Sequence, residues 1–149
     1  MHFKIAARSL FFLAVITGAT YAVAQDQPNM VAARGDLNIA KRELTVAEQN
    51  KGGHRAKAIE YVNAAIAEIN KGIAYDRRHN HAQTVMSNET FSLANVPDQP
   101  HMRAALQSLK DAKGKLENAT ADKGGHRVKA IEFVDKAIDE VNKGIEVGS

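Results

Sequence analysis

Apolar residues recur at steps of three and four over four stretches of the chain. Met30, Ala33, Leu37, Ala40, Leu44 and Ala47 form one series, and Met102, Ala105, Leu109, Ala112, Leu116 and Ala119 repeat it. Ile59, Val62, Ile66, Ile69 and Ile73 form another, repeated by Ile131, Val134, Ile138, Val141 and Ile145. Strands would alternate with period two. This spacing instead predicts helices with a narrow apolar stripe, suited to side-by-side antiparallel packing. Ala58, Ala65 and Gly72, and likewise Ala130, Ala137 and Gly144, add a seam of small residues on the later helix of each pair. Alanine on one helix lets its neighbour approach, and Leu, Ile and Val fill the remaining space.

The four stretches are two copies of one unit. Residues 26–77 align with 98–149 at a constant offset of 72 without gaps, and roughly half the aligned pairs are identical. Lys51-Gly52-Gly53-His54-Arg55 recurs unchanged as Lys123-Gly124-Gly125-His126-Arg127. Asp26 and Asp98 stand two residues before a proline and suit a helix start. The Gly-Gly pairs break each unit into two helices, and Gly72 and Gly144 suit a helix end. One hairpin cannot bury its own stripe, so two must pack together. The expected fold is all-α, an up-down-up-down four-helix bundle of two tandem hairpins, with an open hairpin pair that dimerises as the runner-up. The expected divisions are a leader over 1–24, hairpins over 26–73 and 98–149 forming one domain, and a linker over 74–97. That linker is long for a bundle connection.

The N-terminus reads as a secretory signal peptide. Lys4 and Arg8 precede an apolar run from Leu10 that continues loosely to Val23, and Ala22-Val23-Ala24 supplies small residues for cleavage near Ala24. The run, broken by Thr17, Gly18 and Thr20, falls short of the roughly 20 apolar residues a membrane span needs. A periplasmic or secreted protein is therefore expected, with no stable membrane insertion after cleavage. Removing Lys4 and Arg8 lowers the formal net charge from +3 to +1. No basic tract then remains to neutralise many phosphates, so nucleic acid is not an expected partner. The absence of cysteine excludes disulfides, thiolate metal sites and covalent haem attachment.

Candidate chemistry is sparse. With the hairpins in up-down order, both Gly-Gly-His-Arg turns lie at one end, where His54 and His126 approach each other across a pseudo-twofold axis. Neutral imidazole suits Cu, Ni or Zn, although Zn ordinarily takes three or four protein ligands. The plainer reading is that Gly-Gly is turn chemistry and His-Arg opens the next helix. A weaker reading is an anion site, with free N–H groups at the helix start beside Lys51, Arg55, Lys123 and Arg127. At the opposite end, His79, His81, His101, Met30, Met86 and Met102 are a second candidate cluster for copper, although Met30 and Met102 also fit the core. Glu60, Glu68, Glu132 and Glu140 read as solvated partners for lysines. Neither Gly-x-Ser-x-Gly nor His-Glu-x-x-His occurs, so the chain is read as non-enzymatic.

The pattern Gly125-His126 followed by Ala130, Val134, Ala137, Ile138 and Val141, repeated from Gly53-His54 onward, resembles the small periplasmic metal-binding protein family. That resemblance covers the repeat and not the linker. It implies an exported helical bundle that binds divalent metals, copper included, with His54 and His126 carried over by position. Beyond the leader the chain holds five histidines, His54, His79, His81, His101 and His126. The expected function is low-capacity transition-metal binding; the alternative is a structural or interaction module of the cell envelope, with an envelope protein or a second copy as partner.

Overall fold

A computed structural model describes residues 26–48, 52–80, 100–119 and 124–147. The leader read over 1–24, most of the 74–97 connection, and Lys51, His81, Met86 and Lys123 lie outside the described residues. Four helices form the expected all-α bundle: α1 (Asp26–Val46), α2 (His54–Asn80), α3 (Pro100–Asn118) and α4 (His126–Val147). Among the described residues there is no strand, and no helix is long and apolar enough to cross a membrane.

The apolar stripes form the core. All six members of the α1 series and all six of the α3 series are buried. On α2 and α4 the buried set is shifted toward the small seam. Ala58, Val62, Ala65 and Ile69 are buried on α2, as are Ala130, Val134, Ala137 and Val141 on α4. Ile59, Ile66, Ile131, Ile138 and Ile145 pack at the core's edge. The small residues face inward because α2 and α4 share one of the two most extensive interfaces, and small side chains let two helices approach.

The helix directions place the ends. Each helix packs on two others: α1 on α2 and α3, and α4 on α2 and α3. Asn29 near the start of α1 donates to the Asn118 carbonyl at the end of α3, while Glu43 near the end of α1 meets His101 at the start of α3. The pair α1–α3 is therefore antiparallel. So is α2–α4, where His54 meets Glu140 and Glu68 meets His126. The hairpins lie head to tail, and the directions run up, down, down, up. This departs from the up-down-up-down order, and it puts the two Gly-Gly-His-Arg turns at opposite ends. The end of α2 and the start of α3 also lie at opposite ends.

Two boundaries differ from expectation. α2 continues through residues 74–80, which the sequence reading placed in the linker. Tyr75 packs beside Gly124 at the α3–α4 turn, and Arg77, Arg78 and His79 favour the negative end of the helix. Gly72 and Gly144 end no helix; both are buried inside α2 and α4.

Candidate functional site

The two turns are built alike, and their residues hold the bundle together. Gly53 and Gly125 stop the preceding loop in the left-handed region, with φ of 70° and 68°, where a side chain is strained. The glycine before each leaves room for the imidazole. A Cβ on Gly52 would stand 2.5 Å from the His54 ring, and one on Gly124 would stand 2.8 Å from the His126 ring. The folded-back ring then reaches the other hairpin. His54 Nδ1 lies 2.8 Å from Glu140 Oε2, and His126 Nδ1 lies 2.8 Å from Glu68 Oε2. A carboxylate only accepts, so Nδ1 carries the proton in both bridges.

Arginine completes each turn. Arg55 Nη1 donates to the carbonyls of Leu44, Thr45 and Ala47, which the end of α1 leaves without helical partners. Arg127 Nη1 does the same for Leu116 and Glu117 at the end of α3. Both guanidinium groups proposed for an anion are therefore directed at helix ends.

Of the four glutamates expected to be solvated, Glu60 and Glu132 are exposed but the other two are not. Glu68 and Glu140 are buried, each shared between a histidine and a lysine one turn further on, Lys71 or Lys143. The Lys71 ammonium, then His126, holds Glu68 below the usual carboxylate range against the opposing effect of burial. For Glu140 the His54 bridge comes first and Lys143 second, again against burial. The positions were legible in one respect: Glu68 and Glu140 follow His54 and His126 by fourteen residues, two heptads along one helix face. Head-to-tail packing was needed to turn that spacing into a contact.

Between the two bridges, Tyr61 and Phe133 stack across α2–α4 with centroids 6.5 Å apart and planes 27° apart. They too are 72 positions apart, and each lies seven residues from a bridging His and a bridging Glu. The seam is thus a three-rung ladder with a local twofold axis through the aromatic pair.

His54 and His126, at opposite ends, do not share a site. The second candidate cluster also separates. His101 and Met102 lie at the start of α3, level with Glu43, whereas Met30 is near the opposite end of the core. His101 Nδ1 is 2.7 Å from Glu43 Oε2, a third histidine–glutamate bridge. His79 is exposed, stacks on Tyr75 at 4.1 Å between centroids, and directs Nδ1 at the Tyr75 carbonyl. Among the described residues, no three His, Cys, Asp or Glu side chains gather where a metal ion would sit. Each end carries two of the described histidines, His54 and His101 at one and His79 and His126 at the other, fewer than the three or four ligands zinc ordinarily takes. The chain matches no family model, no curated protein and no solved structure.

Proposed function

We propose that this is an exported, non-catalytic helical module that acts through its helical faces on an envelope protein or polymer. One observation carries the reading: His54, His126 and His101, the described histidines best placed as ligands, each bridge to a glutamate of another helix. The residues that suggested a ligand serve the joint between hairpins, and the outer faces of the helices are what the molecule offers a partner.

Low-capacity metal binding is the second reading. It is favoured by the carboxylate on Nδ1, which orients each ring and leaves Nε2 as the nitrogen with a lone pair, as around metal-bound histidines. Titration of the full chain with Cu(II), Ni(II) and Zn(II) separates the two. The interaction reading expects nothing tighter than roughly tens of micromolar, about −6 kcal/mol. Tighter binding that disappears in the His54→Ala/His126→Ala double variant would overturn it. Photo-crosslinkers at exposed Val46 and Val128, near opposite ends of the bundle, are expected to give adducts in the cell envelope that favour one end. Equal, faint labelling from both positions counts against a dedicated partner face.

A further inference from the structure

The contacts along the α2–α4 seam between the two hairpins come in twos. His54 meets Glu140 and, 72 positions on, His126 meets Glu68, both at 2.8 Å. Tyr61 and Phe133, themselves 72 apart, meet each other. When residue i touches j and the equivalents of j and i touch in return, the interface is isologous, the kind formed by two copies of one subunit. A hairpin's inner face is thus complementary to a hairpin of its own kind, whichever chain supplies it. We propose that this face takes a second copy of the chain: two molecules exchange hairpins, and each bundle joins the first hairpin of one to the second hairpin of the other. This goes beyond the interaction-module reading and does not rest on it.

The two seams divide the work. The α2–α4 ladder is indifferent to which hairpin arrives. A first hairpin pairing with another first hairpin would set His54 against Glu68 and Tyr61 against Tyr61 of the other copy, with the chemistry kept. The α1–α3 seam is selective. Asp36 and Glu43 on α1 face Lys115 and His101 on α3, at 2.8 Å and 2.7 Å. Glu43 and Lys115 occupy equivalent positions, 72 apart. Pairing α1 with α1 would therefore bring Asp36 against Glu43, and pairing α3 with α3 would bring His101 against Lys115. The carboxylate pair repels, and the imidazole gains no acceptor from an ammonium. Exchange is thereby directed to first-with-second, which closes as a dimer of two complete bundles.

The path between hairpins supplies the test. Asn80 and Pro100 lie at opposite ends, about 30 Å apart along the bundle by helix rise. Deleting residues 84–97 leaves five residues between them, reaching about 20 Å when fully extended. Such a chain cannot close its own bundle with α2 intact to Asn80. It is expected to sediment at twice the chain mass with the helical content of the full-length protein. A folded monomer overturns the proposal, and so does a chain that stays unhelical at every concentration.

A second arm keeps the length intact. Differently tagged Asp36→Lys and Lys115→Asp chains each set like charges against one another in their own bundle. Unfolded and refolded together, they can restore both opposite-charge pairs only by exchanging hairpins. The mixture is expected to hold about tenfold more two-tag dimer than wild-type chains refolded the same way, equivalent to ~1.4 kcal/mol. Equal yields overturn the proposal that these charges select first-with-second pairing.

Discussion

Removing the imidazole at position 54 tests the head-to-tail joint most directly. In His54→Ala, Glu140 loses its bond to the other hairpin while remaining largely buried. A hydrogen bond to a charged group contributes roughly 1.5–3 kcal/mol net, and an acceptor left buried adds to the loss. Lys143 remains 3.0 Å from Oε1 and keeps the carboxylate partly satisfied, which favours the lower part of that range. We expect a destabilisation of about 1.5 kcal/mol, or a Tm lower by roughly 5 °C for a domain of this size. His126→Ala should behave alike through Glu68 and Lys71. The two histidines sit two rungs apart along the α2–α4 ladder, about 21 Å by helix rise, so their effects should add to about 3 kcal/mol. Urea unfolding followed by far-ultraviolet circular dichroism measures all three variants. A double variant departing from the sum by more than ~1 kcal/mol would show that the two ends are coupled, contrary to their separation. A Glu140→Gln substitution gives the complementary check. Its cost should shrink by about 1 kcal/mol once His54 is absent, and an unchanged cost would mean the bridge contributes nothing.

Gly52→Ala should destabilise the wild type by about 1–3 kcal/mol, because the new methyl meets the His54 ring, and much less in a His54→Ala background. Gly53→Ala, at φ 70°, should cost about 1–2 kcal/mol in both backgrounds, since the strain there is in the backbone; the same urea titrations separate the two. The depressed carboxyls predict acid sensitivity. Glu68 and Glu140 contribute stability that is fully present above the unfolded value near 4.5 and is lost as pH falls through their lower folded values, so urea midpoints should drop below about pH 4.5. The Glu68→Gln/Glu140→Gln double variant should flatten that part of the profile. Arg55→Met keeps the apolar stem but leaves the Leu44, Thr45 and Ala47 carbonyls uncapped, and should cost about 1 kcal/mol by thermal melts.

The helices and most of their buried faces were legible because a 3.6-residue period leaves a direct trace in residue order. The α1 and α3 stripes are buried throughout, as their spacing predicts. The α2 and α4 stripes turned partly, since an Ile series and an Ala-Gly series on adjacent faces both satisfy the period. Which one faces the core depends on how near the neighbouring helix comes. Direction was not legible. Two equal hairpins bury the same stripe whether they pack parallel or head to tail, and hydrophobic spacing is blind to the difference. Polar residues decide it: Glu68 and Glu140 find histidines only in the head-to-tail arrangement. The length of α2 was obscured because Asp76, Arg77, Arg78 and His79 read as a polar linker when Tyr75 is not known to pack on the facing turn.

The two seams argue for different histories of constraint within one bundle. Along α2–α4 the same three residue types, His, aromatic and Glu, stand at the same heptad positions in both halves, so each half can satisfy the other without regard to order. Along α1–α3 the equivalents have parted: Asn29 answers His101, Glu43 answers Lys115, and Asp36 answers Ser108. Among the ion pairs that join the two hairpins, only those of this seam tell the halves apart. Stability shared symmetrically and identity carried by one seam is how a bundle of two like hairpins avoids pairing the wrong way, since a few charges placed for one partner also repel the other. The Gly-Gly-His-Arg turn then has a specific meaning. A glycine clears space for the imidazole, a left-handed glycine aims it, and an arginine closes the preceding helix. A glutamate two heptads later in the opposing copy receives it. In a tandem helical hairpin, that combination of turn and spacing specifies head-to-tail docking before it specifies any ligand.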